Sequence, residues 1–291
     1  MTPVPVITGV VFPQADETAN FDFYRASIPG VDADEFLGEF LSCCGGSVYA
    51  SRIPSWGYDR VHEVKNGERR LAIIRHGGNR GAPISVEADG FASREFVDVV
   101  RRIWPNHYVT NIHSALDFDD VRAWGWMLDL HCDIGQEWPK LHRSEVGCLM
   151  SGKGASLYQG APASAVRTIL YQKGMQKEYV HYGRPNWCRA EARYRPQKPL
   201  ERAAAASMPA GMVWGASRHS RLIYERLKGF SPGDVVRETP RKTDLERRFN
   251  AMTKQYGKTI AELVQVLGSP EAVGVALALG RLPPADQWAI E

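Results

Sequence analysis

With 291 residues, 44% of them hydrophobic and 24% charged, the chain has the make-up of an ordinary soluble globular protein: one large domain, or a domain plus an appendage. A net charge of +3 is too small to argue for a nucleic-acid partner by itself, and no run approaches the ~18 apolar residues of a membrane span. Five cysteines without CxxC or zinc-ribbon spacing, two of them adjacent (Cys43, Cys44), read as reduced thiols, and the N-terminus lacks the basic and apolar regions of a signal peptide, so a cytoplasmic protein is expected.

In chain order, residues 1–19 are punctuated by proline and read as an N-terminal arm. "FDFYRASIP" alternates as a strand, and "DADEFLGEFLSCC" reads as a helix capped by Asp32 or Asp34. "RRLAIIRHGG" and "PISVEADG" predict two strands joined by the glycine-rich turn "GGNRGA". "ASREFVDVVRRIW" has helical spacing with Ser93 as its cap, "YVTNIHSALDFDD" is a strand ending in acids, and "VRAWGWMLDLHCDI" is a helix. Three strands then follow closely, "ASLYQG", "AVRTILYQKG" and "NWCRAEARYRP", the last ended by Pro196. From about residue 200 the patterns are helical only, with no internal repeat. The expected fold is therefore α+β: a largely antiparallel sheet with flanking helices over 20–200, then a helical C-terminal region over 201–291.

Period-two alternation sorts the strand side chains by face. Arg167, Ile169, Tyr171 and Lys173 share one face, so a phenol lies between two cations. Asn111, His113, Ala115 and Asp117 share another, as do Trp187, Arg189, Glu191 and Arg193, and Ser156, Tyr158 and Gly160. Each strand alone reads equally well as an amphipathic surface strand. Several in one region look like the lining of a site. Eight Arg or Lys against two Glu between Arg167 and Lys198 suit a phosphate-bearing partner or a solvated basic face. His113, Asp117 and Glu191 supply donors for a divalent ion if their strands are neighbours. The alternative is a buried Glu191–Arg pair with a hydrogen-bonded core histidine. A phenol with an ordinary pKa near ~10 needs neighbouring positive charge to lower it before it attacks well, and Arg167 and Lys173 are placed to do so.

These segments resemble the trans-acting replication initiation factor family, the rolling-circle initiators of filamentous phages and small plasmids with related relaxases. Its pattern G-x-T-L-Y-x-G-x-x-x-S, R-x-Y-x-K-G, W-x-R-x-E is matched in order by "GASLYQGAPAS" (154–164), "RTILYQKG" (167–174) and "WCRAEAR" (187–193). "GGNRGAPISVEADG", "FDFYRASIP" and "MVWGASRHSRLIYERLKG" extend the resemblance over roughly residues 20 to 230. The paired-histidine signature of the other large nicking superfamily is absent.

The resemblance implies a DNA-nicking and joining enzyme with Tyr171 as nucleophile, Arg167 and Lys173 beside it, and a covalent tyrosyl-5′-phosphate intermediate. It implies a divalent metal ion, Mg or Mn, held by Asp117, Glu191 and His113, where His113 stands for the family's first Asp and Asn111 for its Arg. It implies DNA contacts from Arg189, Arg193, Tyr158 and Ser164. The implied partners are an origin, single-stranded at the nick, host helicase and polymerase, and a second copy of the chain, with no membrane. A conjugative relaxase of the same chemistry and a non-catalytic origin-binding paralogue are the alternatives.

Overall fold

The computed structural model describes residues 19–51, 57–78, 82–147, 154–235, 244–280 and 282. The N-terminal arm, apart from Ala19, and Cys148 lie outside them. The chain divides into two compact units, Met1–Glu238 and Thr239–Glu291.

The first unit is built on one ten-stranded sheet, in which every neighbouring pair is antiparallel. In chain order its elements are β1 (Asn20–Ile28), α1 (Ala33–Cys44), β2 (Ser47–Ser51), β3 (Arg60–Asn66), β4 (Arg69–His76), β5 (Ile84–Asp89), α2 (Ser93–Ile103), β6 (Tyr108–Asp119) and α3 (Ala123–Glu137). There follow β7 (Arg143–Val146), β8 (Ser156–Gln159), β9 (Val166–Tyr171), β10 (Trp187–Tyr194), α4 (Pro199–Ala205) and α5 (Arg218–Lys228). The strand order is β2-β3-β4-β5-β1-β6-β10-β9-β8-β7. The α+β class with a largely antiparallel sheet is thus as the sequence predicts. Strands β2, β3 and β7 are additions that the sequence reading passes over. "RVHEVKN" mixes His, Glu and Lys into its alternation, so no clean apolar face marks it.

One face of the sheet carries Tyr24, Ile112, Leu116, Leu170, Cys188, Ala190 and Ala192, all essentially inaccessible. Helices α1, α2 and α3 cover it with Phe36, Phe40, Phe96, Val100, Met127 and Ile134. Asp32 caps α1 by accepting from Glu35 N at 2.8 Å, as its position in the sequence suggests. Ser93 does not cap α2. A 3₁₀ turn over Gly90–Ala92 leads into that helix, Ser93 is its first residue, and the Ser93 hydroxyl is buried without a hydrogen-bond partner among the described residues.

The segment 199–228 belongs with this sheet. Residues Ala210–Ala216 form a 3₁₀ helix whose Trp214 is fully buried and donates from Nε1 to Ser114 Oγ on β6 at 3.0 Å. That segment packs against β6 and β10. In the second unit, α6 (Asp244–Leu267) and α7 (Pro270–Leu279) meet at a bend of 111° and bury Leu267, Val273 and Ala276 between them. Among the described residues no single helix is long and apolar enough to cross a membrane.

Candidate active site

The face of the sheet opposite the helices carries the polar row, and strand register decides who meets whom. On β6 and β10 the facing pairs are Asp117 with Arg189, Ala115 with Glu191, and His113 with Arg193. On β10 and β9 they are Arg189 with Tyr171, Glu191 with Ile169, and Arg193 with Arg167. The strands carrying His113, Asp117 and Glu191 are therefore neighbours, and Tyr171 is one strand further on.

Tyr171 is 8% exposed, and its hydroxyl donates to Glu191 Oε2 at 3.3 Å. Burial, then the Glu191 charge, push its pKa well above that of an ordinary phenol, despite Arg189 nearby. The lowered pKa expected from flanking cations is not what the structure provides, because desolvation outweighs them. Glu191 is itself buried, yet its pKa is held far below the usual carboxylate range by His113 and Arg193. Arg193 Nε donates to its Oε1 at 2.8 Å, and His113 Nδ1 lies 3.0 Å from the same atom. Burial depresses the His113 pKa, with Glu191 opposing, so the ring is neutral and Nδ1–H faces the carboxylate. The second ring nitrogen, Nε2, is buried with no hydrogen-bond partner among the described residues.

Arg189 organises the other end of the row. It grips Asp117 with Nε and Nη2 at 2.7 and 2.6 Å and pairs with Asp22 through Nη1. Trp187 Nε1 adds a bond of 2.6 Å to Asp117 Oδ1. As placed, His113, Asp117 and Glu191 do not fit a divalent ion. Both oxygens of Asp117 are taken by Arg189 and Trp187, and both oxygens of Glu191 by Tyr171, Arg193 and His113. Among the described residues no three His, Cys, Asp or Glu converge as a cation site. Of these three side chains, His113 alone keeps a free lone pair, on Nε2, among the described residues.

The cations also differ from their expected places. Arg167 lies over the Tyr158 ring at 4.1 Å rather than against Tyr171. Its Nε is a buried donor without a partner among the described residues. Lys173 follows the end of β9, in a 3₁₀ turn over Lys173–Met175, so strand alternation no longer directs it. Its ammonium lies over Tyr179 at 4.4 Å and Trp187 at 4.9 Å. Arg167 and Arg193 face each other across β9 and β10, a like-charge pair that costs stability unless an anion sits between them. Arg189 is committed to its two carboxylates, whereas Arg193 keeps a third of its side chain exposed. Ser164 sits in the turn between β8 and β9, off the strand faces.

Asp22 is the residue that sequence reasoning missed. Simple alternation puts it with Tyr24 on the core face. The register shift between Phe21 and Phe23 in β1 inserts it as a bulge, which turns its carboxylate toward Arg189. An acid between two aromatics in a core strand is the only signal the sequence offers.

No family model and no curated protein matches the chain. In fold it is similar to the structure of a rolling circle replication initiator protein from Geobacillus stearothermophilus, at a TM-score of 0.50 and 15% identity. That likeness covers 75% of this chain and 99% of the other.

Proposed function

We propose that the protein is a rolling-circle replication initiator of a phage or plasmid, which binds an origin and nicks one strand through Tyr171. The observation that supports this most is the Tyr171–Glu191 hydrogen bond on a sheet whose fold is similar to that of a rolling-circle initiator. The phenol is neutral at rest, and a carboxylate that stays ionised accepts its proton. The neighbouring Arg167 and Lys173 have no carboxylate partner among the described residues.

In the nicking step Tyr171 Oη attacks the phosphorus of one phosphodiester while its proton passes to Glu191 Oε2. A tyrosyl O–P bond forms and the P–O3′ bond breaks. The 3′ oxygen leaves and takes a proton from solvent, giving the primer hydroxyl, and the 5′-phosphate stays on Tyr171. Glu191 is a weak base, so proton transfer completes only as the new bond forms. Arg167 and Arg193 balance the charge that develops on the non-bridging oxygens. Later attack by a 3′-hydroxyl on the tyrosyl phosphate reverses these bond changes and rejoins the strand.

A second reading has one observation in its favour: Asp22 and Asp117 are closed off by Arg189, as suits an origin-binding protein without nicking activity. Mass spectrometry separates the two. Incubation with single-stranded DNA spanning the origin should yield a protein–oligonucleotide adduct whose peptide contains Tyr171. DNA binding without any adduct would overturn the nicking reading.

A further inference from the structure

Beside Arg189 and Asp117 the surface opens into a cleft of about 260 Å³, lined among others by Phe21, Asp22, Phe91, Arg94, Lys173 and Tyr179. Three features of it are unexplained by the fold. Phe91, in the 3₁₀ turn before α2, is 69% exposed, a large apolar ring held out to solvent. Tyr179 forms one side of an aromatic group with Tyr182 at 6.2 Å and Trp187 at 5.5 Å, in the connection between β9 and β10. Lys173 lines the same cleft, is only 2% exposed, and has no carboxylate or hydrogen-bond partner among the described residues. The carboxylates of Asp22, Asp117 and Glu191 act on this ammonium only from beyond ion-pair distance, so burial still costs it unless an anion comes within reach.

The chemistry these features share is that of an unpaired nucleotide: a flat aromatic base joined to a phosphate. Two aromatic rings offer stacking surfaces for a base, and Lys173 and Arg94 offer positive charge for its backbone. The cleft is smaller than the ~300–1,000 Å³ of pockets that hold drug-sized ligands, which suits one base. Arg189 offsets one of the two negative charges of Asp22 and Asp117, and Lys173 and Arg94 on the same cleft leave its lining with a net positive charge for the strand.

We infer that this cleft is a base-stacking subsite that holds one unstacked nucleotide of single-stranded DNA, its base between Phe91 and Tyr179 and its phosphate on Lys173. The inference rests on the nicking reading for its partner and deepens it, because the subsite adjoins the row that ends in Tyr171. A base captured here fixes the register of the strand, which fixes which phosphodiester meets the phenol. Burial brings the Lys173 pKa down to about 8, so the ammonium form is the one a bound phosphate would favour.

Fluorescence anisotropy with two probes tests it: a short labelled oligodeoxythymidylate and a wholly abasic chain of equal length. The natural chain should bind about tenfold more tightly to the wild type. Phe91→Ala and Tyr179→Ala should each remove most of that preference while leaving abasic affinity unchanged, and Tyr179→Phe should keep it. Phe91 is exposed, so its variant reports on binding even if Tyr179→Ala folds poorly. Lys173→Gln should weaken both chains and make the slope of log K against log salt shallower by about 0.7. A base preference that survives both alanine variants, equal losses on the two chains, or an unchanged salt slope would overturn the subsite. Base-dependent binding without an adduct at Tyr171 upholds the subsite and sinks the nicking reading, and an adduct with base-independent binding does the reverse.

Discussion

At the scale of single residues the proposed chemistry turns on two oxygens 3.3 Å apart, Tyr171 Oη and Glu191 Oε2. Removing either partner should act on catalysis rather than on binding. Tyr171→Phe deletes the nucleophile and keeps the ring, so adduct formation should vanish while DNA affinity stays within about threefold. A normal nicking rate in that variant would shift the role to Tyr158. Glu191→Gln keeps the shape that Arg193 and His113 hold but removes the proton acceptor. Single-turnover nicking should fall by about 10²–10³-fold. Full activity would show that the proton leaves by another route. Arg189 makes a separate demand. Its guanidinium pairs with both Asp22 and Asp117, where it offsets one of their two negative charges and takes the place a cation would fill. In Arg189→Gln those carboxylates are uncompensated, so millimolar Mn²⁺ should raise the melting temperature of the variant by several degrees and that of the wild type hardly at all. Equal shifts would mean that a divalent ion binds without displacing Arg189.

Among the elements, the connection from β9 to β10 is the one on which the proposed subsite depends, without being a strand or a long helix. It positions Lys173 and Tyr179, and Gly174 lets it fold so tightly. A Cβ at Gly174 would lie 1.8 Å from Arg184 O and 3.2 Å from Trp187 Cβ. The nearest obstacle is backbone, which cannot rotate aside. Gly174→Ala should therefore cost about 2–4 kcal/mol and move Lys173 away from Trp187. Urea unfolding would read the first effect and oligonucleotide affinity the second. A stable variant with unchanged affinity would show that the turn has slack. The bulge in β1 acts in the same way on a smaller scale, since one inserted residue transfers Asp22 from the core side to the site side.

For the molecule as a whole, pH stability follows from histidines sealed into the sheet-and-helix core. His107 is 1% exposed: its Nδ1–H donates to Trp104 O at 2.6 Å, and its Nε2 accepts from Tyr24 OH at 2.6 Å. His131 meets Gln159 Nε2 through Nδ1 at 2.8 Å. Burial depresses both pKa values below 6.5. Above about 6.5 folded and unfolded forms bind equal numbers of protons at these sites. As pH falls below it, the unfolded chain gains protons that the folded chain refuses, so stability is lost progressively. Thermal melts between pH 7.5 and about 5 should show that decline. His107→Gln, which retains hydrogen bonding without titrating, should flatten it. An equally steep decline in the variant would assign the acid sensitivity to other groups.

What the sequence determined by itself was local. Alternation in "NIHSALDF", "RTILYQKG" and "WCRAEARY" depends only on the period of an extended chain, so it was enough to name the faces that carry His113, Asp117, Tyr171, Arg189 and Glu191, and the α+β class with them. What alternation cannot supply is register and partnership. Strand neighbours decided that Arg189 faces Asp117 and that Arg167 faces Arg193, and these pairs converted an expected ligand set into an ion-pair network. Burial decided the sign of the Tyr171 shift, because desolvation depends on everything packed above the ring and not on its neighbours in sequence. A single bulge decided the place of Asp22. The helices after residue 199 carry amphipathic patterns that suit a separate appendage equally well. Contacts of α4 and of the Trp214 turn with β6, and of α5 with β9, joined the segment up to α5 to the sheet, because a helix of given pattern needs an apolar surface to cover and the sequence does not say which one.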